Sequence, residues 1–177
     1  RQMRHTTNVV RRCLETLGYI RDKRNLIRRG HLKKRWLQEF IDLAHKRAEM
    51  SRDQDTKVGA VLFSETDCVE ISIGYNCLAR GVNHPEERSQ RPMKYLYTSH
   101  AEASAVANAA RLGRSTNGCS LVVTMFPCPV CTAQLINAGV KKVYAPEPDW
   151  GHYKYGEEFQ HSLNQFKDAG VDIFYLV

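Results

Sequence analysis

Residues 99–131, SHAEASAVANAARLGRSTNGCSLVVTMFPCPVC, hold the pattern from which the rest of the chain is read. The alanine-rich run that starts at Thr98 or Ser99 and stops at Gly113 predicts a helix able to lie close on a sheet. Apolar residues at 120–125 predict a buried strand, and Pro127 opens a second helix over 127–138. Toward the C-terminus the alternation continues with a strand at 141–145, a helix at 157–169 closed by Gly170, and a strand at 171–177. Toward the N-terminus, 58–63 and 68–75 read as strands of a hairpin joined through SETD. Before them, Trp36, Leu37, Phe40, Ile41, Ala44 and Ala48 recur at helical spacing, predicting an amphipathic helix over 36–51. The stretch 76–92, NCLARGVNHPEERSQRP, is too polar and broken for core, and loops of that length are often functional. Alternating strands and helices imply parallel pairing and the hairpin antiparallel pairing, so the expected class is α/β with a mixed sheet of about five strands.

The 177 residues suffice for one domain, with 42% apolar and 9% aromatic residues. No stretch approaches the roughly 18 unbroken apolar residues of a membrane helix, and the first residues lack the apolar core of a secretory signal. A cytoplasmic location without membrane contact is the expectation. The net charge of +7 is uneven: residues 1–36 hold twelve Lys/Arg against Glu15 and Asp22, and the remainder is acidic. Residues 1–35 therefore read as a basic N-terminal extension and 36–177 as the folded domain. Three readings of the extension stand side by side: a solvated tail, an organelle-targeting segment, or a salt-dependent contact to nucleic acid. Six cysteines in a chain without a secretory signal point to metal or catalytic use of any close pair before disulfides.

That close pair is Cys128 and Cys131 in Pro127-Cys-Pro-Val-Cys, and it follows His100-Ala-Glu102. Each half has a plain reading. Ser99 to Glu102 fits a helix capping box, a single histidine is usually structural, and CxxC also occurs as a redox pair. Together they supply one His and two Cys, which fill three of four tetrahedral zinc positions and leave one for water. The combination resembles the H-x-E and P-C-x-x-C signature of zinc deaminases, in which the glutamate is not a ligand. On that resemblance His100, Cys128 and Cys131 hold Zn2+, and Glu102 moves protons during hydrolytic loss of an exocyclic amine.

From Trp36 onward the chain resembles the deoxycytidylate deaminase family. The matching pieces are Asp55-Thr-Lys-Val-Gly-Ala-Val61, Gly74-Tyr-Asn76 with Gly81 downstream, Lys94-Tyr-x-Tyr97, and the CxxC leading to Ala138-Gly-Val-Lys-Lys-Val143. The resemblance implies a cytidine deaminase-like three-layer α/β/α sandwich and conversion of dCMP to dUMP, which feeds thymidylate synthesis. It implies that Asn76 reaches the sugar, although an ordinary turn residue fits there too, and that Ala101 offers its backbone N–H to the base carbonyl. It further implies a homo-oligomer, commonly a hexamer, with dCTP and dTTP as effectors at the loop after Gly74-Tyr75-Asn76 and at Lys94-Tyr95. A bound phosphate needs a cation or several N–H groups, for which Lys57 is the candidate. The sequence departs from the family pattern at Cys77, Ala79 and Ser104, where Gly, Pro and Asn are usual. The competing functions are deamination of dCTP, deamination of a base in tRNA or single-stranded DNA, and an inactive zinc module that binds nucleic acid.

Overall fold

The computed structural model describes residues 20–22, 32–153 and 155–176. Its elements are β1 (Ile20–Asp22), α1 (Lys34–Ala48), β2 (Gly59–Ser64), β3 (Val69–Tyr75), β4 (Cys77–Leu78), a 3-10 turn (Glu86–Ser89), α2 (Lys94–Tyr97) and β5 (Thr98–Ser99). They continue with α3 (Ala101–Arg111), β6 (Ser120–Val123), α4 (Pro129–Asn137), β7 (Lys142–Pro146), α5 (Gly156–Asp168) and β8 (Asp172–Leu176).

The main sheet has the order β1-β8-β7-β6-β2-β3. The β2–β3 hairpin and the β2–β6 pair are antiparallel, whereas β6, β7, β8 and β1 run parallel. Strand periodicity divides the interior into two cores. Ala60, Leu62, Leu121, Val123, Val143 and Ile173 face α3, α4 and α5, while Val61, Phe63, Val122, Tyr144 and Phe174 face α1. Strands buried on both faces read as nearly continuous apolar runs, as in Gly59–Ser64, where five of six residues are buried. The result is the expected α/β/α sandwich. α1 buries Leu37, Phe40, Ile41, Ala44 and Ala48, the stripe its spacing predicts.

Two glycines set how closely the layers approach. A Cβ on Gly59 would lie 1.9 Å from the Ala44 carbonyl oxygen of α1, and one on Gly74 would lie 2.2 Å from the Ala101 carbonyl oxygen of α3. Both helices therefore rest backbone to backbone on the hairpin.

Three features differ from the sequence expectation. The sheet has a sixth strand: β1, inside the basic extension, adds to the free edge of β8, with Ile20 opposite Ile173. Leu32, also within residues 1–35, is buried in the α1-side core. The third helix begins at Ala101 instead of at Thr98 or Ser99, because those two residues pair with Cys77 and Leu78 as the β4–β5 ribbon. That pairing also places Cys77 in extended backbone, so the family's glycine is not needed there for a left-handed conformation. The described cysteines are all free, and Cys13 lies outside the described residues. Among the described residues no helix is long and apolar enough to cross a membrane.

Candidate active site

The site lies where the N-termini of α3 and α4 meet. His100 and Cys128 are the N-cap residues of these helices, and neither side chain makes a capping hydrogen bond. Ser99 is therefore not the cap of a capping box, and Glu102 lies inside the first turn of α3. Cap positions point a side chain past the helix end, where the unpaired N–H groups and the helix dipole favour negative charge. Cys131, one turn into α4, comes back onto the same face as Cys128.

The donor atoms of His100, Cys128 and Cys131 all lie within 4.8 Å of one another. Nδ1 of His100 is 3.5 Å from Sγ of Cys128 and 3.4 Å from Sγ of Cys131. Zinc bonds of about 2.3 Å to sulfur and about 2.05 Å to nitrogen, at a tetrahedral angle, put N and S about 3.6 Å apart. One imidazole and two thiols at this spacing fit zinc. The electrostatics agree: Cys128 is held at about 4, first by its hydrogen bond with Cys131, with His100 adding to this against the effect of burial. The same bond, with burial, pushes the Cys131 thiol up. Contact with Cys128 raises the pKa of His100. Among the described residues this is the one His/Cys/Asp/Glu cluster able to hold a metal.

Glu102 is buried beside this cluster. Burial pushes its carboxyl up to about 7, against the lowering effects of its own backbone N–H and of His100. A carboxyl poised near neutrality can both accept and return a proton at working pH. His100, Glu102 and Cys128 open onto a cavity of about 350 Å3. Phe126, Tyr155 and Phe159 give it an aromatic wall, and Asn76, Arg91 and Lys94 line it as well. The buried Lys94 donates to both carboxylate oxygens of Asp53 (3.0 and 3.1 Å) and to Asp55 (2.8 Å). It thereby ties the connector before β2 to α2.

The remaining sequence candidates separate. Ala101 lines the cavity at the start of α3, where its N–H is one of the groups a helix leaves without an internal partner. Asn76 also lines it, but its carboxamide is engaged: Oδ1 accepts from the Val58 N–H (2.8 Å) and Nδ2 donates to the Thr56 carbonyl (2.9 Å). Lys57 is exposed on the connector and does not line the cavity. The four effector candidates do not form one site. Tyr75 lines a neighbouring cavity with Cys77 and His84, Lys94 and Tyr95 line the active-site cavity, and Gly74 lies against α3. Cys77 and Ser104, two of the departures from the family pattern, touch each other at 3.8 Å. Sequence reasoning did not single out Asp53, Arg91, Tyr155 or Glu158. Arg91 sits in the irregular stretch, and α5 reaches the site through packing that no local pattern encodes.

A three-layer sandwich with a His/Cys/Cys cluster and a buried glutamate at two converging helix N-termini belongs to the cytidine deaminase-like superfamily. The profile of the cytidine and deoxycytidylate deaminase zinc-binding region matches residues 34–146. A deaminase of the luxG 3′ region of Aliivibrio fischeri is 37% identical over 143 residues, covering 80% of this chain and 94% of that protein. Mouse deoxycytidylate deaminase is 32% identical over 142 residues, covering 77% of this chain and 76% of that protein. The crystal structure of a cyanophage S-TIM5 dCMP deaminase with dCMP and dUMP superposes with a TM-score of 0.67 at 25% identity, over 82% of this chain and all of that one. This chain is a member of the cytidine and deoxycytidylate deaminase family.

Proposed function

We propose that this protein is a zinc-dependent hydrolytic deaminase that converts dCMP to dUMP. The observation that carries the reading is Glu102, buried beside the His100, Cys128 and Cys131 cluster, lining the same cavity as His100 and Cys128, and held near neutral pKa. A structural zinc site needs no such group. His100, Cys128 and Cys131 would hold zinc, which when bound acidifies a water and so makes hydroxide available near neutral pH. Glu102 takes the proton of the attacking water and delivers it to the ring nitrogen beside the amine-bearing carbon, then takes the proton of the newly formed hydroxyl and passes it to the amine, which leaves as ammonia. Attack at that carbon followed by loss of ammonia leaves the keto base. The Ala101 N–H is available to the base carbonyl, and the aromatic wall excludes water and offers a face for stacking. The cavity volume lies within the usual range for small-molecule sites, about 300–1,000 Å3.

The choice of dCMP rests on the matched relatives, two of which are deoxycytidylate deaminases by name. It extends to a role in dTTP supply and to a cytoplasmic homo-oligomer, which light scattering would test. A second reading, deamination of cytosine in a polynucleotide, is favoured by the charge of residues 1–36. Ammonia release measured in parallel from dCMP, dCTP, cytidine and a cytosine-containing oligonucleotide separates these readings. The proposal expects dCMP to be preferred. An oligonucleotide turned over faster than dCMP would favour the second reading.

A further inference from the structure

A chain of alternating charges runs along the cavity, Asp53, Lys94, Asp55 and Arg91, of which Asp53, Lys94 and Arg91 line it. Its members are not equally available to a ligand. The Lys94 side chain is 7% exposed, and its three N–H groups meet three carboxylate oxygens of Asp53 and Asp55. The Arg91 side chain is 62% exposed. Its Nε lies 3.2 Å from Asp55 and its guanidinium lies 6.0 Å from the Tyr95 ring, but its two terminal amino groups have no hydrogen-bond partner among the described residues. Arg91 is thus a charged, planar donor pair, steadied through Nε and facing the cavity with its outer edge unspent. That is the geometry which binds a phosphate through two parallel bonds.

From this arrangement we infer that Arg91 is the specificity-determining residue that selects a nucleoside monophosphate over the nucleoside. The inference rests on the deaminase reading above and names the substrate class for the same site. One guanidinium suits one phosphate. Lys94 is spent on Asp53 and Asp55, and the carboxylates of Asp53 and of the exposed Glu158 on α5 line the cavity. A second and third phosphate would meet carboxylates rather than further cations, so a triphosphate is disfavoured.

The test compares kcat/KM for dCMP, deoxycytidine and dCTP in the zinc-loaded full chain and in its R91A and R91K variants. A hydrogen-bonded charge pair is worth about 10–100-fold in affinity. R91A should therefore lower the dCMP-to-deoxycytidine ratio by about 10–100-fold, mostly through KM. R91K, which keeps the charge and loses the fork, should fall in between and reports the result if R91A folds poorly. The wild type should prefer dCMP to dCTP. An unchanged dCMP-to-deoxycytidine ratio in both variants overturns the inference, and a wild-type preference for dCTP overturns its monophosphate part. If the wild type deaminates none of the three, the deaminase reading fails by itself. Calorimetric binding of dCMP and deoxycytidine then decides on Arg91: dCMP binding weakened selectively in the variants supports its role, and equal binding refutes it.

Discussion

Replacing Gly74 by alanine tests how the fold positions the chemistry. The new Cβ would sit 2.2 Å from the Ala101 carbonyl oxygen and 2.4 Å from the Ala105 nitrogen, both backbone atoms of α3 that cannot rotate away. Restoring ordinary contact at about 3.5 Å requires α3 to lift by about 1 Å. Overpacking of this kind costs about 1–3 kcal/mol, and each kcal/mol lowers Tm by about 2–4 °C in a chain of this size. Tm should therefore fall by about 2–12 °C. The first turn of α3 carries Glu102 and follows directly on His100, so a displacement of about 1 Å should also cost on the order of 100-fold in turnover and weaken zinc retention. Gly59 supplies the matched control, because its Cβ would strike the Ala44 carbonyl oxygen of α1, in the opposite layer. G59A should lose comparable stability yet keep zinc and turnover well below its Tm. Gly113, at φ +66° with nothing within 4 Å, should cost only the left-handed strain of about 1–2 kcal/mol on substitution by alanine. Scanning calorimetry, zinc analysis and turnover at 25 °C read all three variants. A G74A protein with unchanged Tm and turnover would refute the close-approach argument. So would a G59A protein that loses turnover as severely as G74A.

Three further outcomes follow from the same interactions. Replacing Cys128 and Cys131 together by serine should reduce zinc from one equivalent per chain to almost none by elemental analysis; full retention would place the metal elsewhere. Glu65 accepts hydrogen bonds from Ser120, Lys142 and Tyr144, and although burial alone would raise its pKa, these bonds outweigh burial and lower it. A depressed carboxyl stabilises the fold above its unfolded pKa of about 4.5 and loses that contribution as pH falls through the folded value. E65Q should be less stable at pH 7 by about 1–3 kcal/mol and should unfold with a shallower acid dependence in urea titrations; parallel curves would contradict the assignment. Deleting residues 1–31 removes β1 from the sheet edge opposite β3 while keeping Leu32. It should lower Tm by up to about 10 °C, at about 1 kcal/mol per ladder bond, and spare zinc content and turnover; loss of zinc would show that the extension reaches the site.

What the sequence makes legible follows local periodicity. The α1 stripe, the hairpin and the strand-helix alternation after Ser120 are each encoded by spacing within one element, and the His/Cys/Cys cluster proposed to hold zinc is encoded by two short motifs at helix starts. What it hides depends on partners distant in sequence. β1 could not be read because Ile20 is followed directly by the charges of Arg21, Asp22, Lys23 and Arg24, and its pairing is supplied by the edge of β8. Asn76 carries the right side chain for a ligand contact, yet its amide is engaged by Thr56 and Val58, twenty and eighteen residues earlier. Lys57 and Arg91 look alike as cations in the sequence. Only the packing of the connector and the segment before α2 turns one outward and brings the other to the cavity.

The central claim is that Glu102 serves the reaction and not merely the fold, and turnover of E102A measured together with its zinc content tests it most directly. The account predicts a folded variant that keeps one zinc per chain and loses at least about 10²–10⁴-fold in dCMP turnover. A zinc-loaded E102A variant within a few-fold of wild-type turnover would contradict it.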